Sequence, residues 1–330
     1  MIRMILLTVT LLYSCMFMQI ARAENSDVLY VRITQTPAVV SVVATLGSKQ
    51  KRFRVPHPVN SIHSDFKTLW KKLDEWEVTA QDVAQLNRYE EGLLRPMAHL
   101  LDQAEQIHFV LDQTTIDYAL GLIPYRNKPL FLQYPISYSL NDVSVTADGF
   151  YSASWRGLSI ADPTADPDNA SALLPEFFPK SRSYQMADVS LSQFKAFRKQ
   201  DVLLLSLHGV RDQLNGAMDF NAATLTDRDL KHFGAQLIYL DSCQMGSAYN
   251  FIQTLRAYDN RFLIAPLFSN EAGDSSSATI QGFFSQLKLG HSPAQAMYQV
   301  RRQLFERYRK SDGVNAAYWK AFPFRVYQQL

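Results

Sequence analysis

The chain has 330 residues, of which 47% are hydrophobic and 19% are charged, and this composition excludes disordered, collagen-like and low-complexity proteins. The formal net charge is only +2. Nucleic-acid binding draws much of its affinity from basic contacts to phosphates, so the near-neutral charge argues against a nucleic-acid partner.

The first 23 residues have the pattern of an export signal. Arg3 supplies a short positive start, a long apolar run follows, and Ala21 and Ala23 stand where a signal peptidase requires small residues. We therefore predict a signal peptide at 1–23 and a periplasmic or secreted protein with no membrane association after cleavage. The alternatives are an uncleaved membrane anchor and a lipoprotein attached through Cys15.

Cleavage would leave Cys243 as the single cysteine, without an internal disulfide partner. Exported chains usually pair their cysteines or lack them. Cys243 is therefore either a small buried hydrophobe or a reactive thiol. The removed segment has two charged residues, both Arg, so the remaining chain has equal numbers of basic and acidic residues.

Hydrophobic patterning gives the predicted elements of the remaining chain. It opens with β-rich runs at 28–34, 38–46 and 52–55, and continues with a mainly helical stretch over 63–105. Further strands are predicted at 107–111, 130–134, 136–140, 158–163, 202–207, 237–240, 262–268 and 318–326. Further helices are predicted at 190–198, 225–233, 248–257, 277–289 and 292–308.

Short continuous apolar strands that alternate with helices are typical of a mostly parallel sheet with helices on both faces. No Pro-rich, Gly-rich or Ser-rich linker divides the chain, and no period of 20–50 residues repeats in it. We therefore predict a single α/β domain over 24–330, with a β-rich N-terminal edge.

Reactive side chains follow two of the apolar strands. One strand leads into His208 and Gly209, and the next leads into Asp241, Ser242 and Cys243. Functional groups of parallel sheets collect beyond the carboxyl ends of the strands, so two neighbouring strands would bring His208 and Cys243 to the same edge. A Cys–His pair within reach is the minimum for nucleophilic thiol catalysis.

Two backbone features would support this chemistry. The N–H groups of Gly209 and Cys243 would form an oxyanion hole, and the missing side chain of Gly209 would let a substrate carbonyl approach. Gly246 opens the turn into the next helix, whose N-terminus is expected to lower the pKa of the thiol. The remaining histidines lack metal-type spacing, so the sequence predicts neither a metal nor a cofactor.

Strand-His-Gly followed by strand-Ser-Cys resembles the motif of the caspase-like cysteine peptidases, which include caspases, metacaspases, legumains, gingipains and separases. Within this group the chain is similar to CHAT domains, and LSIADP at 158–163 and GHSPAQA at 290–296 match further blocks of that family. The resemblance covers nearly all of the chain after the signal peptide. It implies a three-layer α/β/α sandwich, with His208 as the base and Cys243 as the nucleophile.

Asp241 adds an inference about the substrate. Metacaspases have Asp-Ser-Cys at the same place, and their Asp lines an acidic S1 pocket for Arg or Lys, so the resemblance implies this role for Asp241. Strand alternation turns Asp241 to the same face as Cys243, where a carboxylate can pair with a guanidinium. Asp212 is a weaker candidate for the pocket. Alternatively, Asp241 caps a loop or pairs with an internal Arg.

Together these features predict an exported cysteine endopeptidase that cleaves proteins after Arg or Lys. Its partners would be a protein or peptide substrate and an activator protein that the sequence does not identify. A non-catalytic CHAT-fold binding or scaffold module is the second hypothesis. It is motivated by the absence of the tetratricopeptide repeats that precede many CHAT domains and of a visible activation cleavage site. The chain also departs from the family after the cysteine, with Gln-Met-Gly where Glu-Thr-Gly is common.

Overall fold

The computed structural model describes residues 27–145, 149–197, 199–258 and 260–329. The predicted signal peptide lies outside these residues. Within the described part of the chain, no helix is both long enough and apolar enough to cross a membrane.

The central strands of the described residues follow the apolar runs of the sequence, and shorter polar strands are added to them. In chain order they are β1 (Val28–Gln35), β2 (Val40–Leu46), β3 (Lys49–Arg54), β4 (Gln106–Val110), β5 (Pro124–Tyr125), β6 (Lys128–Pro129), β7 (Ile136–Ser139), β8 (Gly157–Ala161), β9 (Arg182–Gln185), β10 (Val202–Ser206), β11 (Gly209–Asp212), β12 (Asn215–Phe220), β13 (Ala223–Leu225), β14 (Leu237–Asp241), β15 (Phe262–Pro266) and β16 (Phe324–Gln328).

The helices are mostly short until the last third of the chain. The α-helices are α1 (Val59–Asp74), α2 (Ala80–Gln85), α3 (Asn87–Tyr89), α4 (Ala98–Leu101), α5 (Leu174–Phe177), α6 (Leu191–Ala196), α7 (Asp227–Leu230), α8 (Tyr249–Ala257), α9 (Asp274–Lys288), α10 (Pro293–Ser311) and α11 (Val314–Ala321). A π-helical turn spans Glu90–Leu94, and 3₁₀ turns lie at Arg95–Met97, Leu120–Leu122, Leu130–Leu132, Ala170–Leu173, Met186–Asp188 and Met245–Ser247.

A central sheet of eleven strands has the order β3-β2-β1-β4-β7-β16-β15-β14-β10-β8-β9. Seven of its ten neighbouring pairs are parallel, which confirms a mostly parallel sheet, and β3-β2-β1 is the antiparallel N-terminal edge. The antiparallel pair β15–β16 reverses the strand direction in the middle of the sheet. The carboxyl ends of β8, β10, β14 and β15 therefore lie together at one edge.

Burial follows the sequence pattern of each strand. Every residue of the continuous apolar strands β10, β14 and β15 is buried, whereas β2 alternates between buried and half-buried residues. A strand that is buried on both faces needs a covering layer above and below the sheet. The helices supply these layers, and the result is the α/β/α architecture that the sequence predicts.

In the first half of the chain one helical prediction is confirmed and one strand prediction is wrong. The stretch predicted over 63–105 is mainly helical, but it is divided into several helices, because α1 ends at Asp74 and Trp76 has a φ angle of 60°, outside the helical region. Residues 130–134 are not extended, since Leu130–Leu132 forms a 3₁₀ turn directly after Pro129. Apolar runs this short fit a strand or a buried turn equally well.

Two predictions in the second half also need correction. Only Asp227–Leu230 of the helix predicted at 225–233 is helical, because a three-stranded antiparallel sheet of β11, β12 and β13 fills most of this connection. The strand predicted at 318–326 begins only at Phe324. Residues up to Ala321 belong to α11, and Pro323 separates the two elements.

The central strands should account for much of the stability. Replacing Leu240, fully buried in β14, with Ala removes core contacts and leaves a cavity, so we expect urea unfolding to show a loss of about 2–5 kcal/mol. The matched change Leu289→Ala, at a side chain that is 72% exposed, should alter the free energy of unfolding by less than about 0.5 kcal/mol. Equal losses in the two variants would contradict this assignment of the core.

Candidate active site

The candidate site lies where β8, β10 and β14 end side by side. β10 pairs in parallel with β14, which meets the condition for His208 and Cys243 to share an edge, and the register places Ser206 opposite Asp241. β10 also pairs with β8, and the N–H of Asp162 donates to the carbonyl of Ser206 at 2.9 Å. Because the three strands end level with one another, His208 and Cys243 leave the sheet at the same edge.

Gly209 brings the histidine and cysteine segments into contact. A side-chain carbon at this position would lie 2.6 Å from the carbonyl oxygen of Cys243 and 3.0 Å from its nitrogen, closer than side-chain carbons approach other atoms. Only glycine therefore fits between the two segments. The missing side chain of Gly209 thus makes room for the backbone of Cys243, and not only for the substrate carbonyl expected from the sequence.

His208 is exposed, and a threonine holds its imidazole ring. Nε2 of His208 lies 2.7 Å from Oγ1 of Thr164, and this hydroxyl donates to Oδ1 of Asp162, also at 2.7 Å. A hydroxyl has a single proton, so one that donates to Asp162 must accept from an N–H at Nε2. Nδ1 is then the unprotonated nitrogen, and this tautomer can act as a base.

Asp162 supports this arrangement electrostatically. Partial burial acts to raise the pKa of its carboxyl, but hydrogen bonds from Thr164 and the charge of His208 outweigh that effect and lower it. The carboxylate therefore stays ionised beside the imidazole and would stabilise the imidazolium that forms when His208 accepts a proton.

Cys243 is half-buried, and its sulfur donates to the carbonyl of Asn270 at 3.8 Å. Burial is the main cause that raises the pKa of this thiol above its usual value, and interactions with the backbone of Asn270 and the side chain of Ser269 oppose the rise. The prediction of a pKa lowered by a helix N-terminus is wrong. The segment after the cysteine is the 3₁₀ turn Met245–Ser247, and α8 begins only at Tyr249.

The backbone leaves two N–H groups suited to an oxyanion hole. The N–H of Asp219 donates to the carbonyl of His208, which makes these two residues a hydrogen-bonded pair of the β11–β12 ladder. Hydrogen-bonded pairs alternate with non-hydrogen-bonded pairs along an antiparallel ladder. The next pair, Gly209 and Met218, is therefore not hydrogen-bonded, and the N–H of Gly209 points away from β12. Among the described residues, no backbone acceptor receives the N–H of Cys243.

Asp241 lies beneath the site and is only 3% exposed. Its carboxylate accepts hydrogen bonds from Ser206 at 2.6 Å, from the side-chain amide of Asn270 at 2.8 Å and from Ser276 at 2.5 Å. Burial is the main cause that raises its pKa to about 6, and nearby Asp166 adds to the rise. All three donors are uncharged, so the hydrogen bonds do not support pairing with an internal Arg. The S1 role of Asp241 stays a prediction.

The other candidate for the pocket, Asp212, lies at the exposed tip of the β11–β12 hairpin, opposite Asn215. Its neighbour Arg211 points inward instead and pairs with Asp117 at 2.7 Å. The S1 role of Asp212 also stays a prediction.

A cavity of about 420 Å³ is lined by residues of α1 and of the β11–β12 hairpin. Its lining includes Trp70, Tyr118, Arg211 and Leu214, together with Gln244, which directly follows Cys243. This volume is within the range of sites that hold small ligands or side chains.

The aspartates that follow β8 have structural contacts. Asp166 accepts the N–H groups of Ala170 and Ser171, and Asp168 accepts the hydroxyl of Ser277. In the described part of the chain, no group of three His, Cys, Asp or Glu side chains is arranged to hold a metal ion.

Sequence reasoning missed Thr164, which holds the ring of His208. A local signal was present, because Asp162 followed two residues later by Thr164 is the pattern of a side-chain-stabilised turn at a strand end. Its link to His208 depends on β8 lying next to β10, and no spacing along the chain reveals that neighbour.

No known family model matches the chain, and no curated protein matches it. Among solved structures, it is similar to the Saccharomyces cerevisiae separase–securin complex, with a TM-score of 0.61 and 7% identity. The match covers 93% of this chain and 30% of that one, so the chain spans less than a third of its neighbour's length. The chain has a caspase-like fold.

The chain is also similar to a second solved structure, the complex of the Porphyromonas gingivalis RgpB pro- and mature domains, with 12% identity and a TM-score of 0.43. This match covers 82% of this chain and 76% of that one. At such identities the likeness concerns the fold alone. The roles of individual residues must therefore be argued from the site itself.

Thr164 can be tested by an isosteric change. Thr164→Val removes the hydroxyl that holds Nε2 of His208, so the imidazole should lose its preferred tautomer and orientation. We expect the alkylation rate of Cys243 at pH 7 to fall about tenfold, with a change of less than about 0.5 kcal/mol in the free energy of unfolding at this exposed position. Thr164→Ser keeps the hydroxyl and should retain most of the rate, and equal rates in all three proteins would contradict the role.

Asp241 should make stability depend on pH. Its folded pKa of about 6 lies above the ordinary value of 3.8, so the unfolded chain ionises first as the pH rises. The free energy of unfolding should therefore fall between about pH 4 and pH 6, by roughly 3 kcal/mol from this group. Urea unfolding of Asp241→Asn should lack this fall, whereas the exposed Asp212→Asn should keep it. A fall of unchanged size in Asp241→Asn would show that other groups cause it.

Proposed function

We propose that the chain is an exported, caspase-like cysteine endopeptidase of the CHAT type with a Cys243–His208 dyad. The observation that carries the proposal is the contact between Gly209 and the backbone of Cys243, which brings the histidine and cysteine segments together. The hydrogen bond from His208 to Thr164 supports it, because it leaves Nδ1 free to accept a proton.

In the first half of the reaction, Nδ1 of His208 removes the thiol proton while the sulfur of Cys243 attacks the substrate carbonyl carbon. The N–H groups of Gly209 and Cys243 would stabilise the oxyanion of the tetrahedral intermediate. The intermediate then collapses, the C–N bond breaks, and the imidazolium gives its proton to the leaving amine. A thioester between Cys243 and the acyl part of the substrate remains.

In the second half, His208 removes a proton from a water molecule, which attacks the thioester carbonyl. The C–S bond breaks, the carboxylic acid leaves, and the sulfur of Cys243 recovers its proton from the imidazolium. Burial raises the pKa of the resting thiol, so this dyad needs His208 to act as a general base rather than to meet a preformed thiolate.

We further propose that the peptidase cleaves after Arg or Lys. Asp241 and Asp166 lie close together below the strand ends, and Asp162 lies beside His208. This concentration of carboxylates favours a cationic substrate side chain and disfavours an acidic one. Asp241 is buried, so a guanidinium that pairs with it would have to replace one of its present donors, Ser206, Asn270 or Ser276.

The proposal of export rests on the signal pattern at 1–23. Protein partners are part of the proposal as well. The separase neighbour is seen in complex with securin. We propose that a protein likewise binds and regulates this chain, and the cavity between α1 and the hairpin is near enough to the nucleophile for an occupant to affect it.

A non-catalytic binding module is the second candidate, and one observation favours it. The thiol of Cys243 is half-buried, its pKa is raised, and its proton is directed to the carbonyl of Asn270. A module that only binds other proteins would keep this arrangement permanently. A peptidase would have to release the thiol from Asn270 when substrate binds.

A peptide cleavage assay on the full chain separates the two candidates. Peptides that differ only in having Arg, Lys, Gln or Asp before the cleaved bond should be cut after Arg and Lys. Cys243→Ala should abolish cleavage, and His208→Ala should lower kcat about 10²- to 10⁴-fold, the range expected for loss of a general base. Cleavage that persists in Cys243→Ala would contradict the dyad.

The two aspartate candidates are compared in the same assay. Asp241→Asn should lower kcat/KM for Arg and Lys peptides about 10- to 100-fold, because a buried carboxylate that pairs with a cation contributes a few kcal/mol. Asp212→Asn is the matched control and should cleave normally. If Asp212→Asn alone loses the preference, the pocket lies at the hairpin. If neither variant loses it, the preference has another source.

A further inference from the structure

The end of α1 contacts the turn that carries the nucleophile. Asp74, the last residue of α1, accepts hydrogen bonds from the side-chain amide of Gln244 with both carboxylate oxygens at 3.0 Å. Oδ1 of Asp74 also accepts the backbone N–H of Ser269 at 2.7 Å. One carboxylate from the N-terminal half thus holds two segments of the candidate site, the turn after Cys243 and the loop after β15.

Two tryptophans strengthen the same contact. Nε1 of Trp70, one turn before Asp74, donates to the carbonyl of Leu267 at 2.9 Å, and Nε1 of Trp76 donates to the carbonyl of Ser269 at 2.8 Å. The loop that Asp74 and the tryptophans hold continues into Asn270, whose carbonyl accepts the thiol proton. A shift of this loop would therefore move the nearest acceptor of the sulfur.

Gln244 needs such an anchor because of its backbone. Its φ angle is 64°, in the left-handed region that side-chain-bearing residues seldom adopt. Residues in this region persist only where their surroundings hold them. The side chain of Gln244 reaches Asp74, and its backbone N–H reaches the carbonyl of Phe268 at 3.4 Å. The turn directly after Cys243 thus depends on contacts with two other segments.

The charge of Asp74 works against activation of the thiol. Burial is the main cause of the raised pKa of Cys243, and the nearby carboxylate of Asp74 adds to the rise. A residue that lowered the pKa of the thiol through its charge would have to be positively charged. Its hydrogen bonds are therefore the property through which Asp74 can help the site.

We propose that Asp74 is a positioning residue that aligns the Cys243 turn with His208 by holding Gln244 in its left-handed conformation. This role rests on the proposed dyad, because it gives the turn a catalytic purpose. The reactivity of Cys243 would then also depend on the position of α1 relative to the turn that follows this cysteine.

The test measures the iodoacetamide alkylation rate of Cys243 in the full chain at pH 7, read by mass spectrometry on the peptide that contains this cysteine. The rate ratio between a protein and its His208→Ala counterpart reports how well the histidine assists the thiol. We expect Asp74→Ala to lower this ratio about tenfold, the coupling typical of residues in one hydrogen-bond network. Lys71→Ala, on the same exposed turn of α1, should leave the ratio unchanged.

Variants at Gln244 distinguish positioning from a general loss of structure. Gln244→Ala should resemble Asp74→Ala, because it keeps the strained backbone and loses the anchor. Gln244→Gly adopts a positive φ without cost, so adding Asp74→Ala to it should lower the ratio much less than in the natural chain. Asp74→Asn keeps one acceptor oxygen, which can still accept from the amide of Gln244 and the N–H of Ser269 as Oδ1 does, so it should retain most of the ratio.

The outcomes separate the two proposals. A ratio near one in the natural chain would overturn the dyad and, with it, the role of Asp74. A large ratio that Asp74→Ala leaves unchanged would overturn the positioning role alone. If circular dichroism shows that Asp74→Ala is unfolded, the rate ratios of Gln244→Ala and Gln244→Gly are compared instead. Equal ratios in these two variants would count against the positioning role.

Discussion

The parallel pairing of β10 with β14 is the interaction on which the candidate site depends. Its register sets Ser206 opposite Asp241. His208 follows two residues after Ser206, and Cys243 follows two residues after Asp241. The hydroxyl of Ser206 also donates to the buried carboxylate of Asp241, which ties the two strand ends together. A slip in this register would separate His208 from Cys243 and would leave a buried carboxylate short of a donor, so the fold and the site are stabilised by the same contacts.

The N-terminal half of the chain contacts the candidate site through residues outside its strands. The reversal of direction between β15 and β16 places β1, β4, β7 and β16 antiparallel to the strands that lead to His208 and Cys243. Two side chains make these contacts. Asp74 of α1 accepts a hydrogen bond from Gln244, and Asp117 forms an ion pair with Arg211 of the hairpin. Two contacts from the N-terminal half therefore reach the candidate site, and Asp117, Arg211 and Gln244 also line the cavity.

The sequence predicts the parts of this account that depend on neighbouring residues. β10 and β14 are unbroken apolar runs, and the residues at their ends point to the fold class and to His208 and Cys243 as the candidate site. It does not predict contacts between distant segments. Asp74 lies 170 residues before Gln244, and the hydroxyl that orients His208 belongs to a strand whose place beside β10 no periodicity reveals. The thiol pKa was mispredicted for a similar reason, because a 3₁₀ turn stands where a helix N-terminus was expected and burial then dominates.

The central claim is that His208 and Cys243 act together on a substrate bound through its basic side chain. The most direct measurement is labelling of the full chain with a peptide that ends in Arg and carries a thiol-reactive group, followed by mass spectrometry of the adduct. The account predicts an adduct on Cys243 that forms far more slowly in His208→Ala and with the matching Asp-ended peptide. An adduct that forms equally fast in His208→Ala, or with either peptide, would contradict it.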